Sequence, residues 1–222
     1  MEPASTVVDL SHAITSNMPV YPGDSPCCLT QESAVEKDGY SVHSISLSSH
    51  TGTHIDAPSH FIQDGAPIDR ISLSRLRGNC IVVDVTHKTD REKITWEDLA
   101  PYVHMMKADT PLLIRTGWSK YWGTDRYHAH PYLTKDAAEG LVSKTDIPLI
   151  GVDTFSPDET PFGGVDTEGG FAFHHVFLGA GRPIVENLRS LEDVSTGDEV
   201  IIAPLRLEGS DGSPIRAFVF KR

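Results

Sequence analysis

Ser49-His50-Thr51-Gly52-Thr53-His54-Ile55-Asp56-Ala57-Pro58-Ser59-His60-Phe61 crowds three histidines and a carboxylate into one short stretch. Just upstream, Ile45 and Leu47 alternate with Ser44, Ser46 and Ser48, the period of a half-buried strand. Carried forward, that period puts His50, Gly52, His54 and Asp56 on one face and Thr51, Thr53 and Ile55 on the other. In a straight strand His50 and His54 would stand about 13 Å apart at ~3.3 Å per residue. One ion with Zn–N distances of roughly 2.0–2.1 Å does not bridge that span. The stretch therefore predicts a strand that bends at Gly52, the residue able to take the turn, and that ends in a loop at Pro58. Its spacing leaves two readings open, a metal site or a set of inert, hydrogen-bonded loop residues. Asp56 and His60 beside the two histidines favour the first.

Outward from this stretch, short apolar runs bounded by Gly, Pro, Asp or Thr read as strands. They are Val7–Leu10, Ser44–Ser48, Cys80–Val85, Pro111–Arg115, Pro148–Val152, Val200–Ala203 and Ile215–Phe220. Cys80–Val85 and Pro148–Val152 look buried on both faces. Thr95 reads as a helix N-cap with acidic Asp98 at N3, and Pro101 should end or kink that helix early. Thr134 opens a second helix with the same kind of cap. A third helix spans Phe171–Leu178 and stops at Gly179-Ala180-Gly181. A terminal hairpin turns around Gly209–Ser213. Strands and helices alternate irregularly, which gives an α/β class with a mixed sheet. The chain has 222 residues, with 15 Pro and 18 Gly spread along it, so one domain over 1–222 is expected.

The charge balance narrows the partners. Nineteen Lys and Arg stand against 31 Asp and Glu, a formal net charge of −12, and there is no local basic run. That field repels phosphate backbones, so nucleic acid is not expected as a partner. No apolar run approaches the ~20 residues of a membrane helix, and the first residues lack a basic n-region. The three cysteines, Cys27, Cys28 and Cys80, do not form a disulfide framework. The expected compartment is the reducing cytoplasm.

A second cluster, His174-His175-Val-Phe-Leu-Gly-Ala-Gly-Arg-Pro-Ile-Val-Glu186, places two histidines on a short apolar helix and a carboxylate at the end of an apolar run. Burying Glu186 is costly unless it is paired or holds a cation, whereas a solvent-facing Glu needs no such partner. Arg115, Thr116, Gly117 and Trp118 are candidates to line a pocket, although packing is the plainer role for Trp118. His128 and His130 resemble a small metal clip or sit on an exposed loop. Asp153 is either beside the site or a structural cap. His12, His43, His87 and His104 read as structural.

The stretch HTGTHIDAPSHF (50–61), together with HHVFLGAGRPIVENL (174–188), resembles the metal-dependent cyclase-like hydrolases, a family that includes bacterial kynurenine formamidase and isatin hydrolase. DLSHAITSNMPVYPGD (9–24), LLIRTGWSKYW (112–122) and IGVDTFSPD (150–158) carry the resemblance over nearly the whole chain. It implies a mixed β-sheet or barrel-like core with flanking helices, of the swivelling β/β/α type, in homodimers or larger assemblies such as tetramers. It also implies that His50, His54, Asp56, His174 and Glu186 hold one or two metal ions, with Asp56 bridging, and that His60 is the catalytic acid/base. His175 falls outside the matching pattern. One position departs: where the formamidases carry a substrate-contacting tryptophan, this chain has Tyr21, which keeps an aromatic face and adds a hydroxyl.

A nitrogen and oxygen donor set without thiolate suits Zn2+, with Mn2+ also accommodated. Such a site activates water to attack an amide carbonyl, and an imidazole suits both removal of the proton and its return to the leaving nitrogen. The expected activity is hydrolysis of a small aromatic amide, an aryl formamide such as N-formylkynurenine. Ring opening of a cyclic amide of the isatin type is the alternative enzyme. A metal-binding relic without turnover is the alternative from another class, but such a protein has no use for His60. A Ser–His nucleophile is disfavoured because no G-x-S-x-G elbow is present.

Overall fold

The computed structural model describes residues 6–163, 167 and 169–222. Along the chain run β1 (Val7–Asp9), β2 (Cys28–Ser33), α1 (Val35–Asp38), β3 (Val42–Ser46), β4 (His54–Asp56), β5 (Arg77–Asn79) and β6 (Ile81–Asp84). Then come β7 (Lys93–Ile94), α2 (Trp96–Leu99), β8 (Leu112–Arg115), β9 (Tyr132–Leu133), α3 (Lys135–Lys144) and β10 (Ile150–Val152). The last elements are α4 (Ala172–Gly179), β11 (Ile184–Glu186), β12 (Glu199–Pro204) and β13 (Gly212–Phe220).

Nine strands form one mixed sheet in the order β5-β12-β13-β4-β11-β10-β8-β6, with β1 also paired to β13. Strands β11, β10, β8 and β6 are parallel to one another, while β4 runs antiparallel to both β11 and β13. The two ends of that path, β5 and β6, are separated in sequence by Cys80 alone, so the sheet curls back into a nearly closed barrel. Alternation then sorts the side chains. Leu113, Val185, Ile55, Val200 and Val219 fill one interior cluster, and Leu112, Ile114, Ile150 and Val152 pack on the other side with Phe173, Phe177 and Leu141. The α/β class with a mixed barrel-like sheet and flanking helices is the fold expected.

Several local readings change. The run at Ser44–Ser48 is not half-buried: β3 covers Val42–Ser46, every residue of it is exposed, and it pairs only with β2 in a two-stranded ribbon. Cys80–Val85 is not buried on both faces, because β6 is an edge strand that leaves Asp84 exposed, whereas β10 is buried throughout. Thr95 and Asp98 form the expected reciprocal capping box, and the helix passes into a 3-10 segment, Ala100–Met105, that contains Pro101. Thr134 does not cap α3 through its side chain; its hydroxyl donates to the Ile94 carbonyl instead.

Candidate active site

The bend predicted near Gly52 exists, but it begins earlier and turns harder. The ribbon strand β3 stops at Ser46, residues 47–53 form turns, and β4 is only His54–Asp56. Gly52 adopts φ +66, a conformation that costs other residues energy. His50 therefore does not share a strand face with His54 and Asp56. It folds back over them from the turn, and its ring lies 5.0 Å from that of His54. The close return depends on Gly212 as well, since a Cβ there would lie 2.8 Å from the Ile55 carbonyl oxygen and 3.1 Å from His50 Cε1.

Register supplies the rest. In the antiparallel pairing of β4 with β11, His54 stands directly opposite Glu186. His174 enters from α4, whose first turn is tied down by Asp158: its carboxylate accepts the Phe173 and His174 backbone N–H groups at 2.8 and 3.0 Å. The result is a buried knot of two carboxylates and three imidazoles. Asp56 Oδ1 lies 2.8 Å from His50 Nδ1 and 3.2 Å from His54 Nε2. Glu186 lies 3.3 Å from both His54 Nε2 and His174 Nε2, and Asp56 Oδ2 lies 3.5 Å from His174 Nε2.

Each imidazole is held from behind. His54 Nδ1 donates to the Gly52 carbonyl at 2.9 Å, His174 Nδ1 to Asp158 at 2.6 Å, and His50 Nε2 to Asp211 at 3.0 Å. The other ring nitrogen of each faces Asp56 or Glu186. This is how proteins orient metal-binding imidazoles, with an outer acceptor fixing the tautomer. Two atoms inside the knot, His54 Nε2 and Asp56 Oδ2, are buried and make no hydrogen bond, an expensive condition unless something else binds them. Donor atoms of His50, His54 and Asp56 lie within 4.8 Å of one another, as do those of Asp56, His174 and Glu186. The residues present thus fit one or two small cations, with Asp56 common to both groups.

Electrostatics agree. Burial alone would lower the imidazole pKa values, but hydrogen bonds donated to Asp211 and Asp56 override it and lift His50 to about 9. The charge of Asp56, with Glu186, lifts His54 against burial to about 10. Burial opposes ionisation of Asp56, yet the His54 charge and the other two imidazoles around it, His174 and His50, hold it well below the usual carboxylate range. Without a cation the knot is neutralised by protons on its imidazoles. A cation bound there would take their place, and its affinity would rise with pH.

His60 stands at the mouth, on a 3-10 turn, Pro58–His60, opened by Pro58. Its Nδ1 lies 3.1 Å from Asp211, its ring is 4.0 Å from that of His50, and about a quarter of its side chain, 27%, is exposed. A cavity of ≈ 370 Å³ opens in front, with Tyr21, Phe61, Phe155 and Phe171 as its aromatic wall. The Tyr21 ring packs edge-on against Phe155 at 5.7 Å. Its hydroxyl is buried without a hydrogen-bond partner, and burial, with nearby Glu186, Asp158 and Asp24, keeps it protonated.

The other candidates separate cleanly. His175 is exposed and its ring faces Phe61 from outside the knot. Asp153 is a buried structural acceptor for the Thr116 hydroxyl and for the Thr116 and Gly117 N–H groups, raised by burial to about 6. The loop reading of His130 is corrected: it is 1% exposed, donates to the Pro131 carbonyl and bonds Thr160. Trp118 is packed, 3% exposed. Asp158 and Asp211 escaped the sequence reading. Asp158 sits within the resembling segment 150–158, but Asp211 lies in a hairpin turn where a lone aspartate is unremarkable.

A mixed barrel carrying a buried His/Asp/Glu knot defines the class, and the chain belongs to the cyclase family: the family described as putative cyclase matches residues 8–159. Among its relatives, kynurenine formamidase from Bacillus cereus is 34% identical over 215 residues, covering 96% of each chain. Isatin hydrolase A from Labrenzia aggregata superposes with a TM-score of 0.86 at 28% identity, covering 97% of this chain and 93% of that one. A structure described as a predicted metal-dependent hydrolase from Bacillus stearothermophilus gives a TM-score of 0.78 at 31% identity, covering 99% and 100%.

Proposed function

We propose that this chain, acting as one domain over residues 1–222, is a metal-dependent hydrolase of a carbon–nitrogen amide bond, with an aryl formamide such as N-formylkynurenine as substrate. The observation that carries the reading is the knot itself: His50, His54, Asp56, His174 and Glu186 converge on unpartnered buried atoms at the floor of an aromatic-walled cavity. A kynurenine formamidase alike over 96% of both chains supports the substrate class. A divalent cation, Zn2+ or Mn2+, supplies Lewis-acid chemistry there when bound, polarising a carbonyl and acidifying water. Either ion suits three imidazoles and two carboxylates.

The chain's own residues do the rest. Tyr21, Phe61, Phe155 and Phe171 offer apolar ring surface to the aryl group in the cavity. His60, free at Nε2 and held by Asp211 at Nδ1, takes a proton from the attacking water as its oxygen bonds to the formyl carbon. It then gives that proton to the nitrogen as the C–N bond breaks, leaving formate and an aryl amine. The exposed apolar ribbon supports assembly as a homodimer or larger homo-oligomer: Tyr40 is 58% exposed, Val42 47% and Ile45 59%. Among the described residues no helix is long and apolar enough to cross a membrane. We place the protein in the cytoplasm, in keeping with its three free cysteines.

The second enzyme reading, opening of a cyclic amide, is favoured by the isatin hydrolase likeness at TM-score 0.86. A substrate panel decides. Zinc- and manganese-loaded protein should turn over N-formylkynurenine with a kcat/KM at least tenfold above those for isatin and plain formanilide. A preference for isatin would replace the formamidase reading with ring opening, and turnover of none would leave the metal-binding relic.

A further inference from the structure

A second cavity, ≈ 550 Å³, shares no lining residue with the first. It lies where the parallel strands end. Thr86 follows β6, Thr116 and Gly117 follow β8, and Arg189 and Ser190 follow β11. Trp122 forms one wall, with the His12 imidazole stacked on it at 4.0 Å and 10°. Trp122 also packs near Phe155, so this wall stands between the two cavities.

The lining is cationic in a chain whose net charge is −12. Arg115, Lys120 and Arg189 border it against one carboxylate, Glu192. Arg115 uses Nη1 on Asp84 at 3.1 Å, but its Nε is buried with no acceptor. Arg189 donates to Ser190 Oγ at 3.3 Å, and Lys120 lies over the Tyr121 ring at 5.0 Å. Among the described residues, no carboxylate pairs with either. His12 Nε2 is also buried and unpartnered. Burial, then the Arg189 charge, lowers His12 to about 4, so near neutrality it adds a neutral ring to the wall and no charge of its own.

We propose that this crevice is a second ligand site, taking the carboxylate or phosphate head of a small organic anion among Arg115, Lys120 and Arg189, with its body against the stacked His12 and Trp122 pair. Two cations without a carboxylate partner, with the Arg115 guanidinium beside them, call for an oxyanion, which accepts charge-assisted hydrogen bonds. The volume exceeds that of a bare ion, and the stacked rings of His12 and Trp122 suit a flat body.

Calorimetric titration of the metal-loaded protein tests this with benzoate, inorganic phosphate and neutral benzamide, at ionic strength held constant with chloride. Saturable binding of benzoate or phosphate is expected, and which of the two binds identifies the head group. Benzamide should not bind. Arg189→Gln and Lys120→Ala, both exposed positions that leave the core intact, should each weaken binding at least about fivefold. Tyr21→Phe, in the other cavity, should leave it unchanged. No saturable binding of either oxyanion, or binding that both cation variants leave at wild-type strength, would overturn the proposal.

Discussion

At position 60 an imidazole sits beside the His/Asp/Glu knot without being part of its floor. Its Nδ1 is held by Asp211 at 3.1 Å and its side chain reaches solvent. That geometry separates catalysis from metal retention. His60→Ala should keep the wild-type metal content and lose activity by about 10²–10⁴-fold, the usual worth of a positioned acid/base. Metal analysis beside steady-state kinetics checks both halves. His50, His54 and Asp56 were legible because imidazoles and a carboxylate crowded into one short stretch need an explanation, whereas His174 and Glu186 joined them only through the family resemblance. Asp211 was not, since it serves His50 and His60 across more than 150 residues of chain and carries no local signal of doing so.

At the scale of elements, the site depends on one strand register and one helix start. Pairing of His54 with Glu186 across β4 and β11 is a tertiary fact; nothing near Glu186 in sequence announces it. The upstream alternation Ser44–Ser48 pointed to a half-buried strand continuous with the histidines, yet β3 belongs to an exposed ribbon and the chain turns before His54. Periodicity reports that a strand exists and not what covers it. The capping box at Thr95 was legible because its two partners are three residues apart, and the hydroxyl of Thr134 went elsewhere because Ile94 lies across a neighbouring strand. At the start of α4, Asp158 holds both the backbone and His174 Nδ1. Asp158→Asn should weaken metal binding about 10–100-fold, the usual effect of losing an outer partner of a metal-binding imidazole, with the far-ultraviolet circular dichroism unchanged. Competition with a chromophoric chelator measures it.

For the whole molecule, the mixed class followed from strands and helices alternating irregularly. The barrel closure did not, because it depends on β5 and β6 meeting through Cys80 while lying at opposite ends of the sheet path. The apolar ribbon is the surface most in need of cover. If the chain assembles as proposed, the wild type should run as a homo-oligomer in light scattering after size-exclusion chromatography, and Ile45→Lys should shift it toward monomer. The most direct test of the central claim strips the metal with a chelator and assays N-formylkynurenine hydrolysis before and after Zn2+ or Mn2+ is restored. Activity should vanish in the stripped protein and return as one or two equivalents of ion bind. Full turnover by metal-free protein, or no recovery with either ion bound, would contradict it.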